Sequence, residues 1–495
     1  MQNSRWARAR GSLLFAASIG LAGWLLTGTA ANATPPPLPP QPAATSSPQP
    51  GVSASPAPGF FTGIRRRDQL FGDVFGLRTW LSRFGATLTA SETSEELGNV
   101  TGGYRQGFDY DGLTQVDFQL DTQRAFGFYG GTFNASALQI HGTNLSENNL
   151  GSLQTASGIE ADRATRLWEL WYQQYLRRDG KLDVKIGQQS LDQEFMVNQS
   201  ASLFVNTMFG WPMLPSADLP GGGPAYPLSG LGVRLRGQPE NGVVVLGGVF
   251  NGSPVIDNIG DPQLEDHSGT LFPLNGGVLA IGEVQYTYPA LGGLVEGDKP
   301  EPLARTIKLG LWYDSENFSD LALAQNGFPL ASPLGNGLPI PHQGNYSMYA
   351  TIDQLLYQSA KDPYRTMSAF ARAMGDPLGA SNLIELSLNA GLVLHEPIKH
   401  RRDDTLGIGM GYTHVSSGAA LADQYAAQYI NPATPIQTAE TYVEATYQYQ
   451  VYPWLQLQPD FQFTFNPGAG ILSPNPPFTR VQDEAVIGLR AIFQL

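Results

Sequence analysis

The chain reads as an all-β protein, an outer-membrane antiparallel β-barrel of about sixteen strands with an inward-folded constriction loop and a short N-terminal helix. Three observations predict this. From residue 84 onward, sixteen segments alternate apolar and polar residues with the two-residue period of a sheet. The connections alternate too, short at one rim and long at the other, which is the plan of an outer-membrane barrel. The last segment keeps its alternation to the end: Ala485, Ile487, Leu489, Ala491, Phe493 and Leu495 share one face. A barrel needs such a clean closing strand.

Composition narrows the class further. The 495 residues hold 57 Gly, 37 Pro, 20 Tyr and 24 Phe, a supply of turn formers and aromatics suited to many hairpins. Beyond residue 33 no run approaches the roughly 18 apolar residues of a membrane helix, but barrel strands escape that test because they alternate. There is no cysteine, which excludes disulfides, thiolate metal sites, iron–sulfur clusters, cysteine nucleophiles and a cysteine-linked lipid anchor. The net charge of −14 comes with no basic face for nucleic acid.

The chain opens with Arg5, Arg8 and Arg10, the apolar run Leu13–Leu26, and Ala31-Asn32-Ala33, so residues 1–33 read as an export signal peptide. Residues 34–58 are rich in Pro, Ala and Ser and predict an extended, disordered linker. Within 59–83, Leu70, Phe71, Val74, Leu77 and Leu81 recur at helical spacing and predict a short amphipathic helix at one barrel mouth. The transmembrane barrel is expected over 84–495. Its strands fall near 84–90, 114–121, 126–141, 167–177, 182–188, 230–237, 243–250, 278–288, 305–314, 346–357, 365–374, 383–394, 404–414, 441–451, 454–465 and 484–495. Connections after odd-numbered strands are mostly long; 142–166, 189–229, 251–277, 315–345 and 415–440 are examples. The connection 289–304 is long where a short turn belongs, and 375–382 is short where a loop belongs. Segment 189–229 stands apart, being about 40 residues without alternation and ending in a Pro/Gly cluster. A loop of that length is expected to be functional, and we read it as folded into the hollow, narrowing it.

Four stretches carry a family resemblance: FGDVFGLRTWLSRFGATL (71–88), GGTFNASALQIHGTNLS (130–146), RLWELWYQQYLRRDGKLDVKIGQQSLDQEF (166–195) and FVNTMFGWPMLPSADLPGGGPAYP (204–227). In content and order they resemble the carbohydrate-selective porins of the OprB family. The resemblance implies a sixteen-stranded barrel passing monosaccharides, glucose foremost, through a narrowed charged and aromatic eyelet.

A sugar is neutral and polyhydroxylated, with apolar C–H faces. A pore preferring it needs aromatic surfaces to stack on and paired donors or acceptors for adjacent hydroxyls. With the apolar faces toward lipid, the lumen receives Lys185, Arg234, Arg236, Glu283, Lys308, Trp312, Arg372 and Glu385. The inserted loop adds Asp192, Glu194, Phe195 and Trp211. Its apolar Phe195, Met196, Leu203, Phe204, Val205 and Phe209 should pack on the wall, leaving Asp192, Glu194 and Gln199 toward the opening, across from Arg234 and Arg236. Around Trp171 the alternation would send Trp168, Leu170 and Tyr172 to lipid and Glu169, Trp171 and Gln173 inward, although a belt position for Trp171 is equally compatible.

The six histidines lack metal-ligand spacing, and no HExxH, GxSxG, Walker or dinucleotide fingerprint occurs. Neither an enzyme nor a cofactor or metal site is expected. The expected partners are carbohydrate solutes, outer-membrane lipid and the assembly machinery that reads an apolar C-terminal strand, with the chain acting as a monomer or homotrimer. The competing readings are a general, anion or small-solute porin, an outer-membrane hydrolase, and a secreted sugar-binding β protein.

Overall fold

The computed structural model describes residues 63–256, 260–289, 304–475 and 478–495. The expected export signal and Pro-rich linker lie outside them, as does most of the connection 289–304. In chain order the strands are β1 (Ala86–Thr101), β2 (Gly107–Asp121), β3 (Gly131–Gly142), β4 (Ala164–Tyr175), β5 (Leu182–Gln189), β6 (Gly230–Glu240), β7 (Val243–Asn251) and β8 (Val278–Tyr288). They continue with β9 (Arg305–Ala324), β10 (Pro339–Gln358), β11 (Thr366–Gly375), β12 (Ile384–His395), β13 (Thr405–Val415), β14 (Ala439–Tyr452), β15 (Leu455–Phe465) and β16 (Glu484–Gln494). Each pairs antiparallel with its sequence neighbours, and β16 returns to β1, so the sheet closes with no free edge. Burial follows the alternation: Ile186, Val233, Leu235, Leu309 and Leu311 are exposed on the outer wall, while Lys185, Arg234 and Trp312 between them are buried.

Several boundaries differ from expectation. β1 runs well past 84–90, because its upper half, SETSEELGNVT, is polar on both faces and shows no alternation to read. β3 starts only at Gly131: residues Thr122–Phe126 form a helical turn, capped by Asp121, whose carboxylate accepts from the backbone N–H groups of Gln123 and Arg124. β9 and β10 continue beyond 314 and 346 as a long hairpin projecting from the rim.

The N-terminal helix is shorter than 59–83. Among the described residues of that stretch only Leu77–Arg83 is α-helical, after a kink in which Val74, Phe75 and Gly76 all have positive φ. Leu70 and Phe71 therefore do not continue its face. It does sit at a barrel mouth, where β16 ends: the Leu70 N–H donates to the Gln494 carbonyl at 2.7 Å, and Arg78 donates to the Leu495 carbonyl at 2.6 Å.

The long segment after β5 folds into the barrel, and Phe195, Met196, Leu203, Phe204, Val205 and Phe209 are all buried. A second loop, 143–163, enters with it, which the alternation alone did not show. The two loops bond to each other: the Gly158 N–H donates to the Val205 carbonyl at 2.9 Å, and the Tyr226 hydroxyl donates to the Ile159 carbonyl at 3.0 Å. Space for the inserted rings comes from β13. Its lumen face carries Gly407, Gly409 and Gly411, and Phe204 and Phe209 lie stacked above the stripe with ring centroids 4.2 Å apart. A Cβ on Gly409 would lie 2.5 Å from the tip of Phe209 and 2.9 Å from Phe204. Gly409→Leu is therefore expected to unseat this corner of the loop at a cost of about 1–3 kcal/mol, the usual range for overpacking. The temperature at which the purified barrel changes its gel mobility should fall; an unchanged transition would show that the rings have room to move.

Candidate functional site: the constriction

The inserted loop crosses the lumen because the wall offers it a partner at nearly every step. Glu283 on β8 accepts from the Met196 N–H at 2.9 Å and from the Tyr349 hydroxyl at 2.8 Å. Lys308 on β9 donates to the Val197 carbonyl at 2.6 Å. Asp353 on β10 accepts from the N–H groups of Gln199 and Ser200. Farther round, Glu444 on β14 accepts from the N–H groups of Val205 and Asn206, and Gln458 on β15 donates to the Leu203 carbonyl. Arg372 on β11 donates to three loop carbonyls, those of Met196, Met208 and Gly210, and to the Asn389 side chain. Another wall carboxylate serves the second loop, Glu440 on β14 accepting from the N–H groups of Leu153 and Gln154. Buried backbone groups must be paired, and here the wall side chains supply what secondary structure does not.

This geometry divides the expected site residues. Glu283, Lys308 and Arg372 face inward as the alternation requires, yet their polar atoms are engaged by the loop backbone. Trp312 is fully buried beneath the loop, and Trp211 donates its indole N–H to the Gly222 carbonyl inside the loop's own fold. Asp192 was expected to look toward the opening. Instead it is buried, accepting from the Ser190 hydroxyl at 2.6 Å and from the Tyr226 N–H at 3.2 Å. Glu385 lies away from the narrowing at the loop end of β12, 3.1 Å from His414.

A cluster remains on β4, β5 and β6, joined by the start of the loop. In the β5–β6 ladder Asp183 stands opposite Arg236, and Lys185 stands opposite Arg234. The second pair sets two cations face to face, which alone is unfavourable. Glu194 of the loop resolves it, bonding to Lys185 and to Arg234 with Arg234 Nε at 2.6 Å from its carboxylate. Arg234 is paired on its other side with Asp183, which also lies 3.5 Å from Arg236. Burial alone would raise the Glu194 carboxyl, but Lys185 and Arg234 outweigh it and hold it at about 2, so it is ionised throughout the physiological range. Three cations meet two carboxylates, an excess of positive charge on this wall of an acidic protein.

Trp171 belongs to the same cluster. Its ring lies inward beneath Lys185, with the ammonium 4.5 Å from the ring centroid. The outward assignment of Trp168 does not hold. A β-bulge opposite Ser136 breaks the β3–β4 register, and Trp168 turns in against Tyr226 of the loop. The bulge has no sequence signature in LWELWYQQ. Asp183 was also missed as a member; its place opposite Arg236 follows from the two-residue period once the β5–β6 register is known.

A closed sixteen-stranded barrel with an apolar outer wall, narrowed by an inserted loop and lined there with charged side chains, is an outer-membrane diffusion channel. The carbohydrate-selective porin OprB family model matches residues 105–495, and the chain belongs to that family. It is 24% identical over 432 residues to Porin B of Pseudomonas aeruginosa, covering 81% of this chain and 87% of that one. The high-pH structure of Pseudomonas putida OprB superposes with a TM-score of 0.74 at 23% identity, over 87% of this chain and 99% of that chain. The protein is thus a carbohydrate porin of the Gram-negative outer membrane.

Proposed function

We propose that Asp183, Lys185, Glu194, Arg234 and Arg236, above the face of Trp171, form the eyelet through which monosaccharides such as glucose pass. The observation that carries this reading is the clamp of Glu194, a loop residue, between two wall cations. It fixes donors and acceptors side by side, next to an aromatic plane suited to a C–H face. Each carboxylate of the cluster lies between two cations, and a neutral polyol entering it exchanges one hydrogen-bond partner for another. Of the candidate contacts that the sequence offers, Glu194, Arg234 and Arg236 belong to this eyelet, whereas Glu283, Lys308, Arg372, Asp192, Trp211 and Trp312 hold the loop.

Swelling of liposomes containing purified protein, tested against monosaccharides, disaccharides and amino acids, checks the reading. Monosaccharides should enter fastest; equal entry of amino acids would favour a general small-solute porin. Arg234→Ala removes one side of the clamp and should weaken sugar binding in the channel by about 1–3 kcal/mol, the scale of a charge-assisted hydrogen bond. Sugar block of ion current reads this directly, and block equal to that of the unaltered protein would overturn the assignment.

We infer further that the channel is passive and non-enzymatic, works without a cofactor, and enters the membrane through machinery that reads its C-terminal strand. Residues 1–33 would be spent as the export signal. Residues 34–58 would be dispensable for the pore, since chain of that composition buries too little surface to fold.

A further inference from the structure

The inserted loop covers much of the lumen wall, and the inner face of β1 and β2 stays open. On β11 to β15 the inward Arg372, Asn389, Glu444 and Gln458 are buried, three of them bonded to the loop backbone. On β1, Thr87, Thr89 and Ser91 stand opposite Gln119, Asp117 and Gln115 of β2, and all six residues keep some solvent exposure. Their direction is fixed by Glu95, which lies on the same face of β1 and is buried against Arg490 inside the lumen. Above them on β2 stands Leu113, buried in a cluster with Ile159 and Tyr226 of the two inserted loops. The open face therefore begins directly under the loops. It descends to the rim of short turns, which in barrels of this kind is the periplasmic one.

The six residues make three rungs, each setting a hydroxyl on β1 against an amide or a carboxylate on β2. Side chains directly opposite in a sheet lie about 5 Å apart, and successive rungs are roughly 7 Å apart along the strand. The hydroxyls of Thr89 and Ser91 bond to no other group among the described residues. Asp117 accepts from Gln115 Nε2, at 3.1 Å and 2.9 Å from its two oxygens, and a carboxylate with one donor keeps most of its acceptor capacity. The register adds Gln494 of β16 opposite Ser91, and Asn134 of β3 opposite Gln119. Each of these amides has a buried side-chain nitrogen with no hydrogen-bond partner among the described residues. Asn134 in turn stands opposite Trp171, so the rungs meet the eyelet at its aromatic plane. Counted from the periplasmic rim, Asp117 is four residues from the end of β2, as Trp171 is on β4 and Arg236 on β6. The middle rung and the eyelet are level.

We propose that these rungs are a second sugar-binding surface, a track that takes a monosaccharide from the eyelet to the periplasmic mouth. This rests on the carbohydrate reading given above. A sugar engaged by the eyelet on one edge presents the hydroxyls of its other edge to this wall. An adjacent hydroxyl pair donates to Asp117 or to a glutamine carbonyl while accepting from a threonine or serine hydroxyl, and the unpaired amide nitrogens of Asn134 and Gln494 are further donors. The next rung is in reach before the last is released, so hydrogen bonds are exchanged in steps. The rungs carry one carboxylate and no cation, so an anionic solute gains nothing from them, and an apolar one leaves their donors unpaired. Pores select in this way, by the donors and acceptors that line them.

Glucose block of the ion current through single channels tests the track. The double variant Thr89→Val with Ser91→Ala removes two hydroxyls without changing charge, and Asp117→Asn exchanges an acceptor for a donor at nearly constant shape. Both should weaken glucose block several-fold, more strongly when the sugar is added on the periplasmic side. Thr93→Val is the control, the same kind of change one position higher and opposite Leu113, and block should stay as it is in the unaltered protein. A heat-shifted gel band shows which variants fold, and Asp117→Asn carries the test if the double variant does not. Unchanged block in the folded variants overturns the track, and so does an equal loss from Thr93→Val. Failure of the two readings is distinguishable. If glucose does not block the unaltered channel, the carbohydrate reading falls and the track with it. If Arg234→Ala is without effect while Thr89→Val with Ser91→Ala weakens block, the eyelet assignment falls and the track stands.

Discussion

Excision of residues 198–222, with the ends rejoined by a short flexible link, is expected to raise single-channel conductance several-fold and to abolish the preference for glucose over larger sugars. The barrel should survive, because no strand of the closed ladder includes these residues. The excision removes the aromatic packing of Phe204 and Phe209 on β13, together with the segment that Asp353, Glu444 and Gln458 hold across the lumen. Those wall groups would then face a wide, hydrated lumen in which water can satisfy them, so the excision costs the wall little. Glu194 lies before the cut and keeps its wall cations. The variant therefore separates two contributions: the charged cluster remains, but the passage no longer forces a solute against it. Bilayer recording and liposome swelling read both quantities. Unchanged conductance with unchanged sugar block would place the narrowing on other residues.

How much of this was legible in the sequence depended on whether one periodicity governed the outcome. All sixteen strands and their closure follow from the two-residue period, because lipid on one side and lumen on the other enforce it along each strand. Lys185, Arg234 and Arg236 were placed inward on the same ground, and the structure brings them together. Failures came where a different constraint ruled. The upper part of β1 rises with polar residues on both faces. The bulge at Trp168 depends on its partner strand, and residues 143–163 look like any rim loop until Glu440 and the inserted loop are seen to engage their backbone. Facing inward also proved a weaker property than facing the passage. Arg372 and Glu283 point into the lumen as expected, yet the alternation of their own strands cannot show that loop carbonyls and amides occupy them. That information belongs to residues about ninety to 180 positions away, such as the Met196 N–H for Glu283 and the Met208 carbonyl for Arg372.

Arg372→Met should leave the barrel intact but loosen its constriction, a different outcome from that of Arg234→Ala. The guanidinium of Arg372 is buried, and it joins two separate parts of the loop by donating to the carbonyls of Met196, Met208 and Gly210. Methionine fills much of the same volume and donates nothing. Each abandoned buried acceptor costs about 1–3 kcal/mol, and three on one loop are enough to populate states in which the loop has left the wall. Channel recordings should then show excess open-state noise and excursions to higher conductance, with sugar preference partly retained because the Glu194 clamp is untouched. Arg372→Lys should fall between the two, since one ammonium cannot replace a planar fork that reaches several carbonyls at once. Arg234→Ala should give the opposite pattern, a quiet channel with weakened sugar block. A quiet Arg372→Met channel at the original conductance would mean that the β13 glycine groove and the wall carboxylates hold the loop without it.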